Sequence, residues 1–384
     1  MTELSASLSA RARAISLGAI IATSFGVGLC LGSLHPLAAL VLEARGVSPG
    51  LIGLNGAMPS LGVLVAGPFL PAVVRRLGTA TALFLGLAVG AAAILALPLW
   101  PALGPWFLLR FAMGAALALP WLVNEAWINI VATEAIRARV IGIYSAVFFA
   151  GMALGPVVVQ VAGTESVLGF GISAAALALA ALPLMVARRL APVLPAAPGL
   201  RLLRVLRLAP AVAAVGLLSG ASEMAFYALL PVYALRAGLT SDAGLTLLTV
   251  LIVGAIVLQL PLGWLADRVS RERLLLWMVL AGAVATPLLG PALVSPWLAW
   301  PLAFGLGGLA LGYYTLGLTL LGARFGAGEL AVANAAFLML YEAGAALGPA
   351  LAGTAMELWP PQGYLLFFTA AALGYAAVAL RARP

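Results

Sequence analysis

Four charged side chains stand inside long apolar stretches of this sequence: Arg110, Glu125, Glu223 and Glu342. A charge near the centre of a membrane-spanning helix costs about 2.5 to 3.5 kcal/mol, so it normally faces a cavity or a partner and marks a site of chemistry. Glu223 and Glu342 lie near the middle of their stretches, where a carboxyl group can take up and release a proton. Each carboxyl also fits a structural hydrogen-bond network, and the sequence leaves both interpretations open.

Aromatic residues accompany the two central acids. Glu223 is followed four residues later by Tyr227, Glu342 is preceded by Tyr341, and Tyr314 lies in another apolar stretch. An acid beside aromatic faces is a combination that holds organic cations. We therefore expect these side chains to line a cavity that accepts a proton, a cationic molecule, or both.

Arg110 and Glu125 belong to one stretch and are fifteen residues apart. On a helix this spacing gives a rise of about 22 Å and a rotation of about 60 degrees, so the two side chains share a face but cannot touch. Arg110 can bind an anionic substrate, pair with a cavity carboxylate, or fix helix packing. Trp121 and Asn124 flank Glu125 and are predicted to line the same cavity, whereas Trp127 fits an anchor at the membrane interface.

His35 is the only histidine, and it precedes Pro36 near the end of the first apolar stretch. Its side chain suits a proton path, since an unperturbed imidazole titrates at about pH 6.5; a simple hydrogen bond near the membrane interface is the alternative. One histidine, one cysteine and nine scattered methionines offer no spacing for a transition metal. The chain has no lysine, so a Walker-type phosphate loop is impossible. We expect no metal, no cofactor and no use of ATP.

The elements that must position these residues are transmembrane helices. The chain has 384 residues, of which 64% are hydrophobic and only 8% charged, whereas soluble domains carry about 25% charged residues. Apolar runs of this length satisfy their backbone groups only as helices, because they lack the alternation of a membrane barrel. Twelve spans are predicted, near 15–41, 50–73, 79–98, 105–130, 140–163, 167–187, 208–234, 243–265, 273–294, 297–321, 331–355 and 363–380.

The arginines between the spans predict the orientation of the chain. The first ten residues lack a secretory signal, so the amino terminus is taken as mature and cytoplasmic. Most arginines then fall in cytoplasmic segments, as the positive-inside rule requires, whereas only Arg45 and Arg236 fall outside. The cytoplasmic set is Arg11, Arg13, Arg75, Arg76, Arg137, Arg139, Arg188, Arg189, Arg201, Arg204, Arg207, Arg268, Arg271, Arg273, Arg324, Arg381 and Arg383. The net charge of +8 is therefore an orientation signal, and nucleic acid is not an expected partner. Both termini are predicted to be cytoplasmic.

The longest connection divides the chain into two similar halves. Residues 188–207 are rich in proline and then carry Arg201, Arg204 and Arg207 on one helical face, which predicts a segment lying on the cytoplasmic membrane surface. The sequences 67–76 and 263–273 resemble each other, as do 151–156 and 344–349. The prediction is an all-α membrane protein with a six-helix bundle at 1–187, a linker at 188–207 and a second six-helix bundle at 208–384.

Three motifs resemble those of the Major Facilitator Superfamily, a family of membrane transporters. The loop motif of that family is matched after the eighth span, its arginine motif in the fourth span, and its Gly-x-x-x-Gly-Pro motif in the fifth. The residues are Gly263, Asp267, Arg268, Arg271 and Arg273; Arg110 and Gly114; and Gly151, Gly155 and Pro156. The resemblance covers the whole chain, and the short length and the WLVNEAW stretch are similar to the YcaD-like bacterial branch.

The resemblance implies a gate at the loop motif. Gly263 would let two helices approach closely, and Asp267 would accept hydrogen bonds from the amino terminus of another helix, closing a latch in one access state together with Arg268. The first half has Pro71 where the motif expects aspartate, so the two gates should be unequal. A plain orientation signal is the alternative for the arginines.

The Gly-x-x-x-Gly-Pro motif predicts close helix packing at Gly151 and Gly155 and a bend at Pro156. In the family this motif marks many proton-coupled exporters. Its second copy at 344–349 is also what symmetric helix packing alone would produce.

The resemblance and the intramembrane charges together lead to an expected function. We expect a non-enzymatic, monomeric, proton-coupled transporter of the bacterial inner membrane that exports a small cationic or amphiphilic molecule by alternating access. An importer or facilitator of a small anionic metabolite, with Arg110 as the anion contact, is the first alternative. A non-transporting sensor or assembly factor is the second alternative.

Overall fold

Helices account for all regular secondary structure in the computed structural model, which describes residues 9–164, 167–194, 209–325 and 327–381. Within these ranges twelve helices are long and apolar enough to cross a membrane. They are α1 (Ala10–Ala44), α2 (Pro49–Leu77), α3 (Thr79–Leu99), α4 (Leu103–Val131), α5 (Glu134–Ala162), α6 (Leu168–Leu190), α7 (Pro210–Arg236), α8 (Ser241–Ala266), α9 (Arg271–Ala292), α10 (Pro296–Arg324), α11 (Ala327–Leu358) and α12 (Gly363–Arg381). The predicted number of spans is confirmed.

Several helices extend beyond the apolar stretches that predicted them. Helix α1 begins at Ala10 rather than near residue 15, and α5 begins at Glu134 rather than near residue 140. The added turns carry arginine and glutamate, which are good helix formers and whose charges fall outside an apolar window. Because their first turns are charged, these helices begin earlier than the apolar stretches that predicted them.

Prolines interrupt the regular hydrogen bonding of α1 and α2. Pro36 lies inside α1 and Pro59 inside α2, and a single turn of 3-10 helix at Gly67–Phe69 divides α2 further on. A proline removes one backbone hydrogen bond and clashes with the preceding turn, so each of these positions weakens its helix locally.

The packing of the helices divides the chain into two compact units. The first unit contains Met1–Leu37 and Met58–Ala197. In it, α1 and α5 are in backbone contact: Gly28 and Gly32 of α1 lie against α5, and Gly151 and Gly155 of α5 lie against α1. A methyl group at any of these four glycines would overlap the backbone of the other helix. The close packing expected at Gly151 and Gly155 is therefore present.

The second unit contains Ala38–Ala57 together with Pro198–Pro384. Its α7 and α11 repeat the contact of α1 with α5, since Gly344 and Gly348 of α11 lie against the backbone of α7 and Gly220 of α7 lies against α11. The Gly-x-x-x-Gly-Pro sequence at 344–349 therefore packs a helix pair in this unit as its counterpart does in the first.

The division between the units differs from the predicted boundary at 188–207. The end of α1 and the start of α2, residues 38–57, pack within the second unit. Gly53 lies against Pro349 of α11. Arg236 of α7 donates from Nε and Nη2 to the two carboxylate oxygens of Glu43, at 2.8 and 3.0 Å. Small residues and this two-pronged ion pair hold residues 38–57 within the second unit, and neither is visible as a composition change. The predicted division into 1–187, 188–207 and 208–384 remains a prediction.

The beginning of the predicted linker is held against the first unit. Arg188–Leu190 form one turn of 3-10 helix, and the Thr79 hydroxyl donates to the carbonyl of Pro192 at 2.6 Å. Arg201, Arg204, Arg207 and Arg383 lie outside the described residues. The surface helix predicted there remains a prediction.

Candidate functional site

A buried carboxylate with two phenol donors lies in the second unit. Glu223 is only 5% exposed and sits at the middle of α7. The Tyr227 hydroxyl donates to its Oε1 at 2.8 Å, and the Tyr341 hydroxyl of α11 donates to its Oε2 at 2.9 Å. Tyr227 reaches the acid because residues four apart are neighbours on a helix surface. Both oxygens of a buried acid are thus held by phenols.

Aromatic rings of α10 and α11 extend this site. The ring of Tyr314 meets that of Tyr341 edge to face, with centroids 5.2 Å apart, and lies 5.6 Å from the ring of Phe337. We call Glu223, Tyr227, Tyr341 and Tyr314 the Glu223 cluster. The sequence predicted all four as site residues, and the structure brings them together.

Glu342 is half-buried and follows Tyr341 on α11. Consecutive residues do not share a helix face, so Tyr341, and not Glu342, carries the α11 hydrogen bond to Glu223. The two midspan acids of the prediction therefore occupy different positions: one inside a pair of phenols, the other beside that pair.

The protonation of Glu223 changes what its neighbours must do. An ionised carboxylate only accepts hydrogen bonds, whereas a protonated one carries a hydroxyl that donates. When one oxygen is protonated, the tyrosine facing it has to accept a hydrogen bond or turn away. Because Tyr341 belongs to α11 and Glu223 to α7, a proton on Oε2 of this acid alters a contact between two helices.

The first unit holds a buried arginine beside the only histidine. Arg110 is 1% exposed and His35 3% exposed, and Arg110 Nη2 lies 3.2 Å from His35 Nδ1. A guanidinium only donates hydrogen bonds, so Nδ1 accepts and the imidazole is neutral, with its proton on Nε2. Among the described residues, Nε and Nη1 of Arg110 have no hydrogen-bond partner. We call these two residues the Arg110 pair.

Sequence reasoning treated Arg110 and His35 separately and missed their contact. A signal was present: Arg110 lies seven residues after the start of α4 and His35 nine residues before the end of α1. With α1 and α4 running in opposite directions, these positions are at depths of about 10 and 14 Å from the same membrane surface. Depth alone does not fix which faces meet.

A third polar group lies on α4 and α5 of the first unit. Glu125 is exposed, Asn124 is 2% exposed, and Oδ1 of Asn124 has no hydrogen-bond partner among the described residues. The Tyr144 hydroxyl of α5 has the Asn124 side chain and the Glu125 carboxylate as neighbours. Trp121 meets Phe148 of α5 edge to face, at 5.6 Å between ring centroids. We call Trp121, Asn124, Glu125, Tyr144 and Phe148 the Glu125 corner.

The Glu125 corner contains two residues that the sequence analysis did not select. Tyr144 and Phe148 are four residues apart on α5, so they share one face, and no motif marks them. Trp127 differs from its expected role, because it is fully buried and its indole N–H donates to the hydroxyl of Ser16 at 2.7 Å. It fixes α4 to α1 rather than anchoring the chain at an interface.

The predicted gating residues lie at the end of α8. Asp267 is 78% exposed on its side chain, and Arg271 Nη2 is 3.7 Å from its carboxylate. The guanidinium of Arg268 stacks on the ring of Trp264 at 3.4 Å. A methyl group added at Gly263 would have no described atom within 4 Å, so the close approach expected at this glycine is absent in this conformation. A latch at Asp267 remains a prediction.

In the described ranges no group of three or more histidine, cysteine, aspartate or glutamate side chains is placed to hold a metal ion.

Twelve spanning helices, two glycine-packed helix pairs and charged groups buried between helices define a multi-pass membrane transport protein. The sequence profile of the Major Facilitator Superfamily matches residues 19–257 and 241–384. The chain belongs to this superfamily.

Relatives and solved structures agree with this assignment. The chain is 28% identical to the MFS-type transporter YfkF of Bacillus subtilis (strain 168) over 354 residues, 89% of each chain. It is 27% identical to the MFS-type transporter YcaD of Escherichia coli (strain K12 / DH10B) over 356 residues, 90% of each chain. These relatives are transporters and not enzymes.

Two solved transporters share the fold at low sequence identity. The nucleoside transporter NupG is 15% identical, with a TM-score of 0.74 over 96% of this chain and 98% of that chain. A bacterial homolog of the human lysosomal transporter Spinster, in an inward-facing and occupied conformation, is 15% identical, with a TM-score of 0.76 over 97% of both chains. At this identity the likeness concerns the fold alone.

Proposed function

We propose that this chain is a proton-coupled secondary transporter of the bacterial inner membrane that exports a small cationic or amphiphilic molecule by alternating access. The observation that carries the proposal is Glu223, a buried acid at the middle of α7 whose two oxygens are held by Tyr227 and Tyr341. An acid in the membrane interior is retained where it carries protons or charge. Since each chain has two bundles, a monomer is the proposed working unit.

The Glu223 cluster supports coupling because it links a proton to a helix contact. Loading a proton on Glu223 reverses or breaks one of its hydrogen bonds to tyrosine, and one of these tyrosines belongs to another helix. The contact of α7 with α11 then differs between the protonated and ionised states. Such a difference in contacts between two states is what lets a proton bias a conformational equilibrium.

The remaining acids provide proton and substrate contacts in this scheme. Glu125 is exposed on α4 and exchanges protons with the cytoplasm, and Glu342 is a second acid on α11 near Tyr341. Three acids against one intramembrane arginine favour a cationic substrate over an anionic one. The absence of lysine from the sequence leaves no Walker-type site for ATP, so an ion gradient is the proposed energy source.

The test is reconstitution in liposomes that contain a pH-sensitive dye, with a panel of organic cations added from one side. Wild-type protein should move protons when a substrate is present. Glu223→Gln should reduce this flux to background, because a glutamine side chain cannot carry the proton. Glu134→Gln, at the exposed start of α5, is the matched control and should behave as wild type. Unchanged flux in both Glu223→Gln and Glu342→Gln would contradict the proposal.

A second candidate is a facilitator of a small anion, with Arg110 as the anion contact. It is favoured by the two guanidinium nitrogens of Arg110 that have no partner among the described residues. A flux of small carboxylates that needs Arg110 but not Glu223, and that moves no protons, would favour this candidate over the exporter.

A further inference from the structure

The Glu125 corner has the chemistry of a binding site for a protonated amine. Trp121, Asn124 and Glu125 lie within four residues of one another on α4, and Tyr144 and Phe148 lie four apart on α5, so one face of each helix contributes. All five residues belong to the first unit. They are separate from the Glu223 cluster and from the Arg110 pair.

The charge at this corner is available to a ligand. The Glu125 carboxylate is exposed, and none of the ion pairs found in the described part of the chain involves it. An ionised carboxylate attracts a cation that comes close to it. The ion pairs of the described residues therefore leave the Glu125 carboxylate to a ligand.

Asn124 favours a ligand that can donate a hydrogen bond. Its side chain is 2% exposed, and its Oδ1 has no hydrogen-bond partner in the described ranges. A buried acceptor left unpaired costs free energy, so a ligand that donates a hydrogen bond to it gains that free energy on binding. A cation with an N–H group meets this need, and a quaternary ammonium does not.

The aromatic rings select the body of the ligand. Trp121 and Tyr144 are half-buried, so part of each ring is open, and Phe148 supports Trp121 from the side. Faces of tryptophan and tyrosine attract cations and pack on apolar groups. The corner thus combines a carboxylate, an unpaired acceptor and aromatic faces.

We propose that the Glu125 corner binds the substrate's protonated amine: a primary, secondary or tertiary ammonium group attached to an apolar or aromatic body, with Glu125 and Asn124 taking the N–H groups and Trp121 and Tyr144 taking the body. This inference rests on the proposed function, which it narrows from cations in general to amines that carry a proton.

The proposal is tested by equilibrium binding to the full chain in lipid nanodiscs at one fixed pH, without any proton gradient. Three probes of similar size are compared: phenethylammonium, its N-trimethyl derivative and phenylacetate. The wild type should bind phenethylammonium most tightly and the N-trimethyl derivative less tightly, because that derivative cannot donate to Asn124. Phenylacetate should bind least, because Glu125 repels it.

Variants assign the binding to the corner. Glu125→Gln should weaken binding of phenethylammonium by about tenfold to a hundredfold, the range for a hydrogen bond to a charged group. Trp121→Leu should weaken it by about threefold to tenfold through the loss of a cation and ring contact. Glu134→Gln serves as the control. If Glu125→Gln reduces the yield of folded protein, Glu125→Asp is used as a second variant, because it keeps the charge and moves the carboxylate.

Two results would overturn this inference: no binding of any amine by the wild type, or equal affinities in the wild type, Glu125→Gln and Trp121→Leu. Because binding is measured without a gradient, it does not depend on proton coupling. If amines bind at the corner but Glu223→Gln leaves proton flux unchanged, the proposed proton coupling is wrong and the amine site still stands. If proton flux depends on Glu223 but no amine binds at the corner, the amine site is wrong and the proposed coupling still stands.

Discussion

The two helix bundles share their packing and differ in their polar groups. Helix α5 packs on α1 through Gly151 and Gly155, and α11 packs on α7 through Gly344 and Gly348. Yet the second unit holds an acid whose oxygens are both occupied by phenols, and the first holds a buried arginine with two unoccupied nitrogens and an exposed acid. The repeated sequence thus specifies helix packing, and the chemistry lies in residues that the repeat does not copy.

The largest expected effect is the loss of the shared packing. Gly155→Leu and Gly348→Leu each place a large side chain where even a methyl group would overlap the backbone of the neighbouring helix. Overpacking costs about 1 to 3 kcal/mol where side chains can adjust and more where backbone must move, so both variants should fail to give folded protein. Size-exclusion profiles and yields after detergent extraction measure this.

The matched control for these variants is Gly142→Leu, also on α5, where a methyl group has no described neighbour within 4 Å. It should yield folded protein. If Gly155→Leu were tolerated and Gly348→Leu were not, the packing of the two bundles would be less alike than their contacts indicate.

The next largest effect is a change in the free energy of unfolding, which is expected to have opposite signs for substitutions of Glu223 and Arg110. Glu223→Leu leaves two buried phenol hydroxyls without their acceptor and should lower the free energy of unfolding by about 2 kcal/mol or more. Arg110→Met removes a buried charge whose donors are incompletely paired, so stability should stay equal or rise by about 1 to 4 kcal/mol.

Thermal unfolding of the purified variants in one detergent measures the two changes. A clear loss of stability in Arg110→Met would mean that Arg110 has gained partners in the folded protein, and its place as an open anion contact would then be lost. Transport should fall in both variants, whichever way stability moves.

The smallest expected effect is the difference in stability between breaking one surface ion pair and breaking another. Glu43 and Arg236 form two hydrogen bonds at 2.8 and 3.0 Å with side chains only 13% and 30% exposed, whereas Asp267 and Arg271 meet at 3.7 Å on side chains 78% and 42% exposed. Glu43→Gln should therefore cost about 1 kcal/mol, and Asp267→Asn should change stability by less than about 0.5 kcal/mol. The same melting experiments resolve this difference, and a larger cost at Asp267 would indicate that its latch is closed in solution.

Much of the fold and part of the candidate site could be predicted from the sequence. The twelve spans follow from apolar length, and the contact of Glu223 with Tyr227 follows from their spacing on one helix. The grouping of Tyr341 and Tyr314 with Glu223 was suggested by residue type alone, as the acid and aromatic parts of one pocket.

Contacts between distant helices could not be predicted in the same way. The Arg110 pair and the α5 side of the Glu125 corner depend on which face of one helix meets which face of another, and apolar spans carry little amphipathic signal to fix this rotation. The predicted role of Trp127 as an interface anchor was wrong for a related reason. A tryptophan near the end of a span suits the membrane interface unless a buried partner such as Ser16 is known. The exposure of Asp267 depends on the conformation, which a sequence does not specify.

The two prolines of the first helices have a mechanical consequence. The chain passes from the first unit to the second after Leu37 and returns after Ala57, so the crossings lie within two residues of Pro36 and Pro59. At a proline the helix lacks one of the hydrogen bonds that resist flexing. Bending of α1 and α2 is therefore easiest near Pro36 and Pro59.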